Sequence, residues 1–420
     1  MKHIAILIGS YFPNYSAVGI CAYNIISELK KEACISVICL KTSTNDEKYL
    51  HFEGCNLYRI STRIGSMYLK YKEKIKETKG IKKFNYRLIL NMIRLVKYLK
   101  AIFYYVNINM EMVDEYEKKL NEIEKLNHLD IIICFSFPFE TCIAGRNFIL
   151  TFNNVKLVFA LFDNFSLNLS LHRTRINAKI KEKKHKKIEW EVYNASDMVL
   201  YTSQLRTGIY QYITLLKEKF FLIEHPLLEK IEYSDLVKYE KETINIVFTG
   251  SLNKNVRNPK CAINTLSKCI DKCGNIKIHF YTHNDIHDLK VFSKKFPNQV
   301  YNYGFVTIDI AHSAMTNSDI LLSIGNNDIR QIPSKIFEYM SALKPIIHFA
   351  KHVDDPVNAI LTKYGNSVII YEKNITSFNL EIIKKFIFKD HKGNINFYEL
   401  ASIFPEAIPA NVAKIINTIY

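Results

Sequence analysis

The chain has 420 residues, and its 57 Lys and Arg against 41 Asp and Glu give a formal net charge of +16. This length is enough for two domains with separate hydrophobic cores, and the composition is ordinary for a globular protein, which excludes a disordered chain. The positive charge predicts polyanionic partners such as nucleotide diphosphates, anionic lipids or nucleic acid.

Nine cysteines are scattered, mostly within apolar runs, without C-x-x-C pairs or metal-ligand spacing. This usage predicts a reducing compartment, buried thiols and no metal site. Residues 1–9 are apolar but too short for a signal peptide, and no run approaches the roughly 18 apolar residues that span a bilayer. We therefore expect a cytoplasmic protein, or one bound to the inner face of the cell membrane.

The first half of the chain predicts a doubly wound α/β domain, because a strand at 3–8 is followed by a glycine-bearing loop and a helix at 20–31. Gly19 near the helix start either lets a ligand approach the backbone or is an ordinary turn glycine. Asp163 and Asn164 follow a strand at 156–161, at the sheet edge where ligands bind. They either contact an acceptor hydroxyl or cap the loop. Further strands are expected at 36–40, 56–60, 131–135, 198–201 and 220–223.

Residues 63–126 form a basic helical segment, in which positions 63–100 carry 12 Lys or Arg against Glu73 and Glu77. One helical face of this segment is apolar and contains Leu88, Met92, Leu95, Leu99 and Ile102. A helix of this kind either lies on an anionic membrane, apolar face down, or packs against the core with a solvated basic side. The pattern alone does not separate the two interpretations.

The second half of the chain predicts another doubly wound domain. The charged stretch 229–243 has no apolar period and is interpreted as a linker, with the domain boundary near 235. Helical patterns then alternate with expected strands at 244–248, 277–281, 300–305, 320–324, 344–349 and 367–371. A last helix is expected at about 409–419.

The stretch 331–349 carries the most specific pattern. Pro333 and Ser334 predict a helix start, because proline tolerates the first turn and serine can cap it. Glu338 lies one turn on, on the same face as Ser334, whereas the core face is formed by Ile336, Phe337, Met340 and Leu343. Backbone N–H groups at a helix start attract phosphate, and a carboxylate can accept from sugar hydroxyls. The stretch is either a nucleotide site or an ordinary α/β unit with a solvated glutamate.

The run Pro-Ser-Lys-Ile-Phe-Glu-Tyr-Met at 333–340 resembles the nucleotide-sugar loop and helix of glycosyltransferase family 4 and its relatives with the GT-B fold. The resemblance implies two Rossmann-like domains facing across a cleft. Residues 1–235 would form the acceptor side and 236–405 the donor side, and 406–420 would hold a helix that crosses back to the first domain. It also implies a UDP-, GDP- or similar nucleotide-sugar donor, no further cofactor, no metal, and retention of anomeric configuration.

In that family a glycine at a strand end and a basic residue at the next helix start meet the donor diphosphate, and Gly250 and Arg257 match them. Arg257 is the strongest candidate because its planar fork pairs bidentately with phosphate oxygens. Lys260 and Lys254 are either substitutes for it or solvated loop charges.

The family often has two glutamates eight positions apart, the first touching the sugar and the second the ribose. Glu338 matches the second, but Arg330 stands at the position of the first. A cation cannot accept from sugar hydroxyls, so Arg330 indicates an acidic sugar, a phosphate or a loss of activity. Asp328 is the candidate for the absent carboxylate's place.

These arguments predict a glycosyltransferase that moves a sugar to a saccharide or lipid-linked acceptor in bacterial-type surface polysaccharide synthesis. Catalytic roles are assigned to Arg257, Lys335 and Asp328, and acceptor-side roles to Gly19 and Asp163. Donor binding is assigned to Gly250, Ser251, Arg257, Lys260, Arg330, Pro333, Ser334, Lys335 and Glu338. Two alternatives remain: an inactive GT-B scaffold that binds a partner, and a nucleic-acid-binding protein, although no nucleic-acid module is recognisable.

Overall fold

The computed structural model describes residues 1–282, 286–328, 332–389, 391 and 396–419. It divides the chain into two compact units, unit 1 with 1–226 and the C-terminal segment from Pro409, and unit 2 with Leu227–Ile408. Each unit is built on a sheet of mostly or wholly parallel strands, which confirms the prediction of two Rossmann-like domains.

Unit 1 contains an eight-stranded sheet in the order β3-β4-β2-β1-β5-β6-β7-β8. The strands are β1 Lys2–Leu7, β2 Ala33–Leu40, β3 Tyr49–Phe52, β4 Cys55–Ile60, β5 Ile131–Phe135, β6 Lys156–Leu161, β7 Met198–Thr202 and β8 Phe220–Ile223. The edge strand β3 is antiparallel to β4 and was not predicted from the sequence, because it is only four residues long and its side chains are exposed or half-buried.

The helices of unit 1 cover both faces of this sheet. They are α1 Ala17–Leu29, α2 Arg63–Glu77, α3 Gly80–Phe103, α4 Met110–Leu126, α5 Glu140–Thr151, α6 Leu169–His172, α7 Arg175–Ala195 and α8 Arg206–Leu215. The strands β5, β6 and β7 are buried along their whole length apart from Lys156, as expected for parallel strands covered on both faces.

Unit 2 contains a six-stranded parallel sheet in the order β11-β10-β9-β12-β13-β14. Its strands are β9 Ile244–Thr249, β10 Ile276–Tyr281, β11 Val300–Asn302, β12 Ile320–Ile324, β13 Ile346–Ala350 and β14 Ser367–Tyr371. Its helices are α9 Lys260–Cys273, α10 His287–Lys295, α11 Ile308–Asn317, α12 Lys335–Ser341, α13 Pro356–Tyr364, α14 Ser377–Ile387 and α15 Phe397–Ile403.

The division between the units falls after Pro226, earlier than the boundary at 235 expected from the sequence. The stretch interpreted as a linker is attached to unit 2. The Val237 N–H donates to Ser313 Oγ at 3.0 Å, and Ser313 Oγ donates to the Ser234 carbonyl at 2.7 Å. The side chains of this stretch gave no sign of the attachment, because its bonds to Ser313 are made by backbone groups. The last helix, α16 Pro409–Asn417, packs in unit 1, where Asn417 donates to Glu32 at 3.2 Å.

Candidate functional site

Two loops of unit 2 leave the same edge of the sheet. β9 pairs with β10 on one side and with β12 on the other, so the loops that follow β9 and β12 meet where the strand order reverses. Open α/β sheets bind ligands at this point. The loops are joined by hydrogen bonds, since Asn327 donates from its backbone to the Val256 carbonyl at 2.7 Å and from its side chain to the Asn255 carbonyl at 2.9 Å.

Arg257 is held in place by the second loop. Its Nε and Nη2 atoms donate to Asn326 Oδ1 at 3.1 and 3.0 Å. Burial lowers the pKa of Arg257, while nearby Tyr339 and Asp355 act to raise it. Within the described ranges no carboxylate lies within 4.0 Å of the guanidinium, and Nη1 makes no hydrogen bond. The site therefore presents an oriented, half-buried cation with one amino group available to an anion.

Gly250 lies beside that amino group. Its φ of +137° belongs to a region that side chains rarely adopt, and a Cβ there would lie 3.7 Å from Arg257 Nη1. The start of this loop is tied to α12, because the Tyr339 hydroxyl accepts from the Thr249 N–H at 2.8 Å and donates to the Thr249 carbonyl at 3.1 Å. Burial raises the pKa of Tyr339 to about 12, so the phenol keeps the proton that it donates.

Glu338 projects from α12 and is only 13% exposed. Its Oε2 atom accepts from Lys335 Nζ, and His312 Nε2 lies 3.7 Å from the same oxygen. Burial acts to raise the pKa of Glu338, but Lys335 and His312 outweigh it and hold the pKa below the usual value. Both contacts are to Oε2, and the described residues give Oε1 no hydrogen bond. Glu338 is thus an oriented carboxylate with one oxygen that could accept from a hydroxyl.

The predicted serine cap is wrong. Ser334 has helical φ and ψ of −51° and −29° and makes no side-chain cap bond, whereas a capping residue needs an extended backbone. The chain turns into α12 through backbone bonds from Ile336 to the Pro333 carbonyl and from Phe337 to the Ser334 carbonyl. Pro333 is buried at this turn. Leu343, predicted to face the core, is half-exposed and has a φ of +57° where the helix ends.

The other residues predicted to bind the donor are not held beside Arg257 or Glu338 by the contacts described above. Ser251 and Lys254 are exposed, and Lys254 lies 3.8 Å from Asp288. Lys260 lines a cavity of about 430 Å³ together with Lys351 and seven other residues, and Arg257 and Glu338 are not part of that lining. Asp328 is half-exposed in the loop after β12. Arg330 lies outside the described residues.

On the acceptor side, the structure explains Gly19 by packing. α1 begins at Ala17, earlier than predicted, so Gly19 lies inside the helix and donates to the cap Ser16 at 3.0 Å. A Cβ on Gly19 would lie 2.5 Å from the Ser10 carbonyl oxygen. The close approach that requires glycine at this position is therefore made by the chain's own backbone.

Asp163 follows β6 and lines a cavity of about 260 Å³ in unit 1, together with Asn107, Glu140 and Arg173. Burial raises the pKa of Asp163 to about 6 and also raises the pKa of Glu140. Over the described part of the chain the Asp163 carboxylate caps no backbone group, which removes the loop-capping interpretation for this residue. Asp163 remains an accessible carboxyl at the carboxyl edge of the sheet.

The sequence did not predict four residues of the donor-side site: His312, Gly325, Asn326 and Tyr339. Gly325 packs so closely that a Cβ would lie 2.6 Å from Asp355 Oδ2. Asn326 carried a usable signal, because a polar residue two positions after a buried parallel strand lies at the binding edge of the sheet. His312 and Tyr339 carried none, since their roles depend on contacts across tertiary structure. Across the described ranges, no group of three or more His, Cys, Asp or Glu side chains is placed to hold a metal ion.

No protein-family model matches the sequence, and no curated protein matches it either. Solved structures do match over the whole chain. Sucrose-phosphate synthase from Thermosynechococcus elongatus aligns with a TM-score of 0.60 at 10% identity, covering 100% of this chain and 99% of that one. The lipopolysaccharide outer core galactosyltransferase WaaB aligns with a TM-score of 0.55 at 12% identity, covering 99% and 98%.

The UDP-GlcNAc 2-epimerase from Methanocaldococcus jannaschii aligns equally well, with a TM-score of 0.55 at 11% identity and coverage of 99% and 100%. The chain therefore has the GT-B fold. At these identities the likeness establishes the architecture, and the reaction has to be argued from the site.

Proposed function

We propose that the protein is a glycosyltransferase that uses a nucleotide diphosphate sugar. The observation that carries the proposal is the position of Arg257, a half-buried cation held by Asn326 beside Gly250, without a carboxylate within 4.0 Å among the described residues. A half-buried cation in this state has lost part of its hydration, so an anion that joins it is favoured. A diphosphate offers the oxygens that a guanidinium binds best.

Glu338 supplies the second contact in the proposal. Its depressed pKa keeps the carboxylate ionised near neutral pH, and Oε1 would accept from ribose hydroxyls. Lys335 already donates to Oε2, so its ammonium is positioned by the same carboxylate. An ammonium has three donors, and two of them stay available to a phosphate.

In the proposed reaction the bond between the anomeric carbon and the diphosphate oxygen breaks, and its electron pair stays with the diphosphate. The acceptor hydroxyl oxygen bonds to the anomeric carbon, and its proton passes to the released diphosphate. Arg257 and Lys335 would neutralise the charge that builds on the leaving group, which is usually the largest catalytic effect. Asp328 would contact the sugar, and Arg330 would favour an acidic sugar or a phosphate. Metal independence and retention are proposed from the family resemblance.

We further propose a saccharide or lipid-linked acceptor on the side of Asp163, and a role in surface polysaccharide synthesis. The supporting observation is the cavity that holds Asp163 and Glu140, whose carboxyls and neighbouring amides suit a polyhydroxylated ligand. No cofactor besides the donor is proposed, and a cytoplasmic location is favoured by the unpaired cysteines in the described part of the chain.

One alternative keeps a specific observation in its favour. Arg330 replaces a carboxylate that many members of the resembled family use on the sugar, so an inactive GT-B scaffold remains a second candidate. Such a scaffold would bind nucleotide without turnover.

The test is a panel of UDP-, GDP- and ADP-sugars, scored first by thermal stabilisation of the purified protein and then by release of the nucleoside diphosphate with and without saccharide acceptors. Stabilisation by one donor, followed by release, is expected. No stabilisation by any donor would refute the proposal, and stabilisation without release in any assay would favour the scaffold. Conversion of the donor to an epimer, without release, would instead assign an isomerase.

A further inference from the structure

The apolar face of α3 is directed away from the core. Only Leu90 and Ile93 of this 24-residue helix are buried. The opposite face carries six exposed apolar side chains at helical spacing, here called the apolar stripe: Ile81 (80% exposed), Phe84 (60%), Leu88 (48%), Met92 (66%), Leu95 (55%) and Leu99 (40%). The stripe extends for about 27 Å along the helix at 1.5 Å per residue. The structure therefore excludes the interpretation in which this face packs against the core.

Cations border the apolar stripe on both sides. At 100° per residue, Arg87 and Arg94 lie along one edge of the stripe and Lys82 and Lys100 along the other. Arg87, Arg94 and Lys82 are exposed, and the Lys100 ammonium lies 5.5 Å from the Tyr104 ring. Long basic side chains at the edge of an apolar face can place their charges among phosphates while their stems cover the apolar surface.

The exposed apolar surface continues beyond the end of α3. Phe103 and Tyr105 are 78% and 72% exposed. The start of α7 contacts the same end, where Lys181 Nζ donates to the Ala101 carbonyl at 2.7 Å, and it exposes Ile176 and Ile180 by 75% and 72%. An apolar surface of this extent on a monomer indicates an interaction site.

We propose that α3 is the element that binds the protein to an anionic lipid bilayer, with the apolar stripe at the boundary between headgroups and acyl chains. Charge decides against a second copy of the chain as the occupant. Residues 63–103 carry 12 Lys or Arg against two Glu, so two copies of this face would repel each other. A bilayer with anionic headgroups offers apolar depth and negative charge together. No helix in the described ranges could cross a membrane, so α3 would lie on the surface.

This inference extends the proposed lipid-linked acceptor, but the binding needs neither donor nor acceptor, so it can fail without the proposed reaction failing. The experiment is co-sedimentation of the full chain, without nucleotide, with phosphatidylcholine vesicles that contain or lack phosphatidylglycerol. Binding is expected only to the anionic vesicles and should weaken with salt. Replacing Leu88, Met92 and Leu95 together by Ser should weaken binding at least about tenfold.

The control for the apolar change is Leu126→Ser with Leu150→Ser, two residues that are 81% and 71% exposed elsewhere in unit 1, and it should bind normally. The charge variant Arg87→Glu with Arg94→Glu should also weaken binding at least about tenfold. It is matched by Lys294→Glu with Lys363→Glu, which makes the same change in net charge on exposed residues of unit 2 and should bind normally.

Three outcomes would overturn the inference: no binding to anionic vesicles, equal losses in a variant and its control, or a dimer in light scattering that the Ser variant converts to a monomer. If the Ser variant fails to fold, the charge variant Arg87→Glu with Arg94→Glu decides whether α3 binds the vesicles, because it leaves the apolar stripe intact.

Discussion

Arg257 provides the sharpest test of the site. Replacing it by Met keeps an unbranched apolar stem but removes the cation and both bonds to Asn326. The nucleoside diphosphate loses at least one charge-assisted hydrogen bond, worth about 1.5–3 kcal/mol. Its Kd should therefore rise about 10- to 150-fold. The Kd of Arg257→Lys should lie between those of wild type and Arg257→Met, because lysine keeps the charge without the oriented fork.

The assay is calorimetric titration with the diphosphate that stabilises the protein most among UDP, GDP and ADP. Lys363→Met is the matched control, because that lysine is exposed, belongs to the same unit and has no assigned role in donor binding, and the Kd of this variant should change less than about twofold. Asn326→Ala tests the proposed positioning. It should weaken binding in the wild-type background and have no further effect in Arg257→Met.

The reasoning is refuted if Arg257→Met binds the diphosphate as well as wild type. It also fails if Asn326→Ala is equally harmful in both backgrounds, because Asn326 would then act on the ligand independently of Arg257. Thermal unfolding of each variant without ligand separates these results from a general loss of structure.

Three further predictions concern titration and backbone strain. The pKa of Glu338 is depressed, so its stabilisation is present above the unfolded value of about 4.3 and is lost as the pH falls. The difference in melting temperature between wild type and Glu338→Gln should therefore be large at pH 7 and disappear well below pH 4.3. A difference of the same size at neutral and at acidic pH would contradict the ion pair. Asp163 has its pKa raised to about 6, so burial of its charge destabilises the fold increasingly as the pH rises from the unfolded pKa of about 3.9, and fully above pH 6. Asp163→Asn should stabilise the protein by roughly 2–3 kcal/mol at pH 8 and little at pH 4. The control Asp354→Asn changes an exposed residue and should stabilise it at neither pH. Equal stabilisation by both variants at pH 8 would contradict the burial of the Asp163 charge. Leu343 has a φ of +57°, so Leu343→Gly should be about 1 kcal/mol more stable than Leu343→Ala in chemical unfolding, and the opposite order would exclude strain there.

Most of the fold could be predicted from local patterns in the sequence. Apolar runs such as Ile131–Phe135 and Ile320–Ile324 are strands with the predicted bounds, because strands buried on both faces must be apolar throughout. The strand Tyr49–Phe52 and the attachment of Ser234 to unit 2 could not be predicted, since each depends on backbone bonds rather than on side-chain pattern.

For the site, the sequence determined which chemical groups are present and on which loops they lie: Gly250, Arg257, Lys335 and Glu338, at strand and helix ends in one domain. Tertiary structure decided their partners. Asn326 orients Arg257, because the strand order brings two loops far apart in sequence to one sheet edge. His312 of α11 approaches Glu338, which already pairs with Lys335 inside α12. Tertiary structure also decided that the apolar stripe of α3 is exposed, since a helical period specifies one apolar face but not what that face meets.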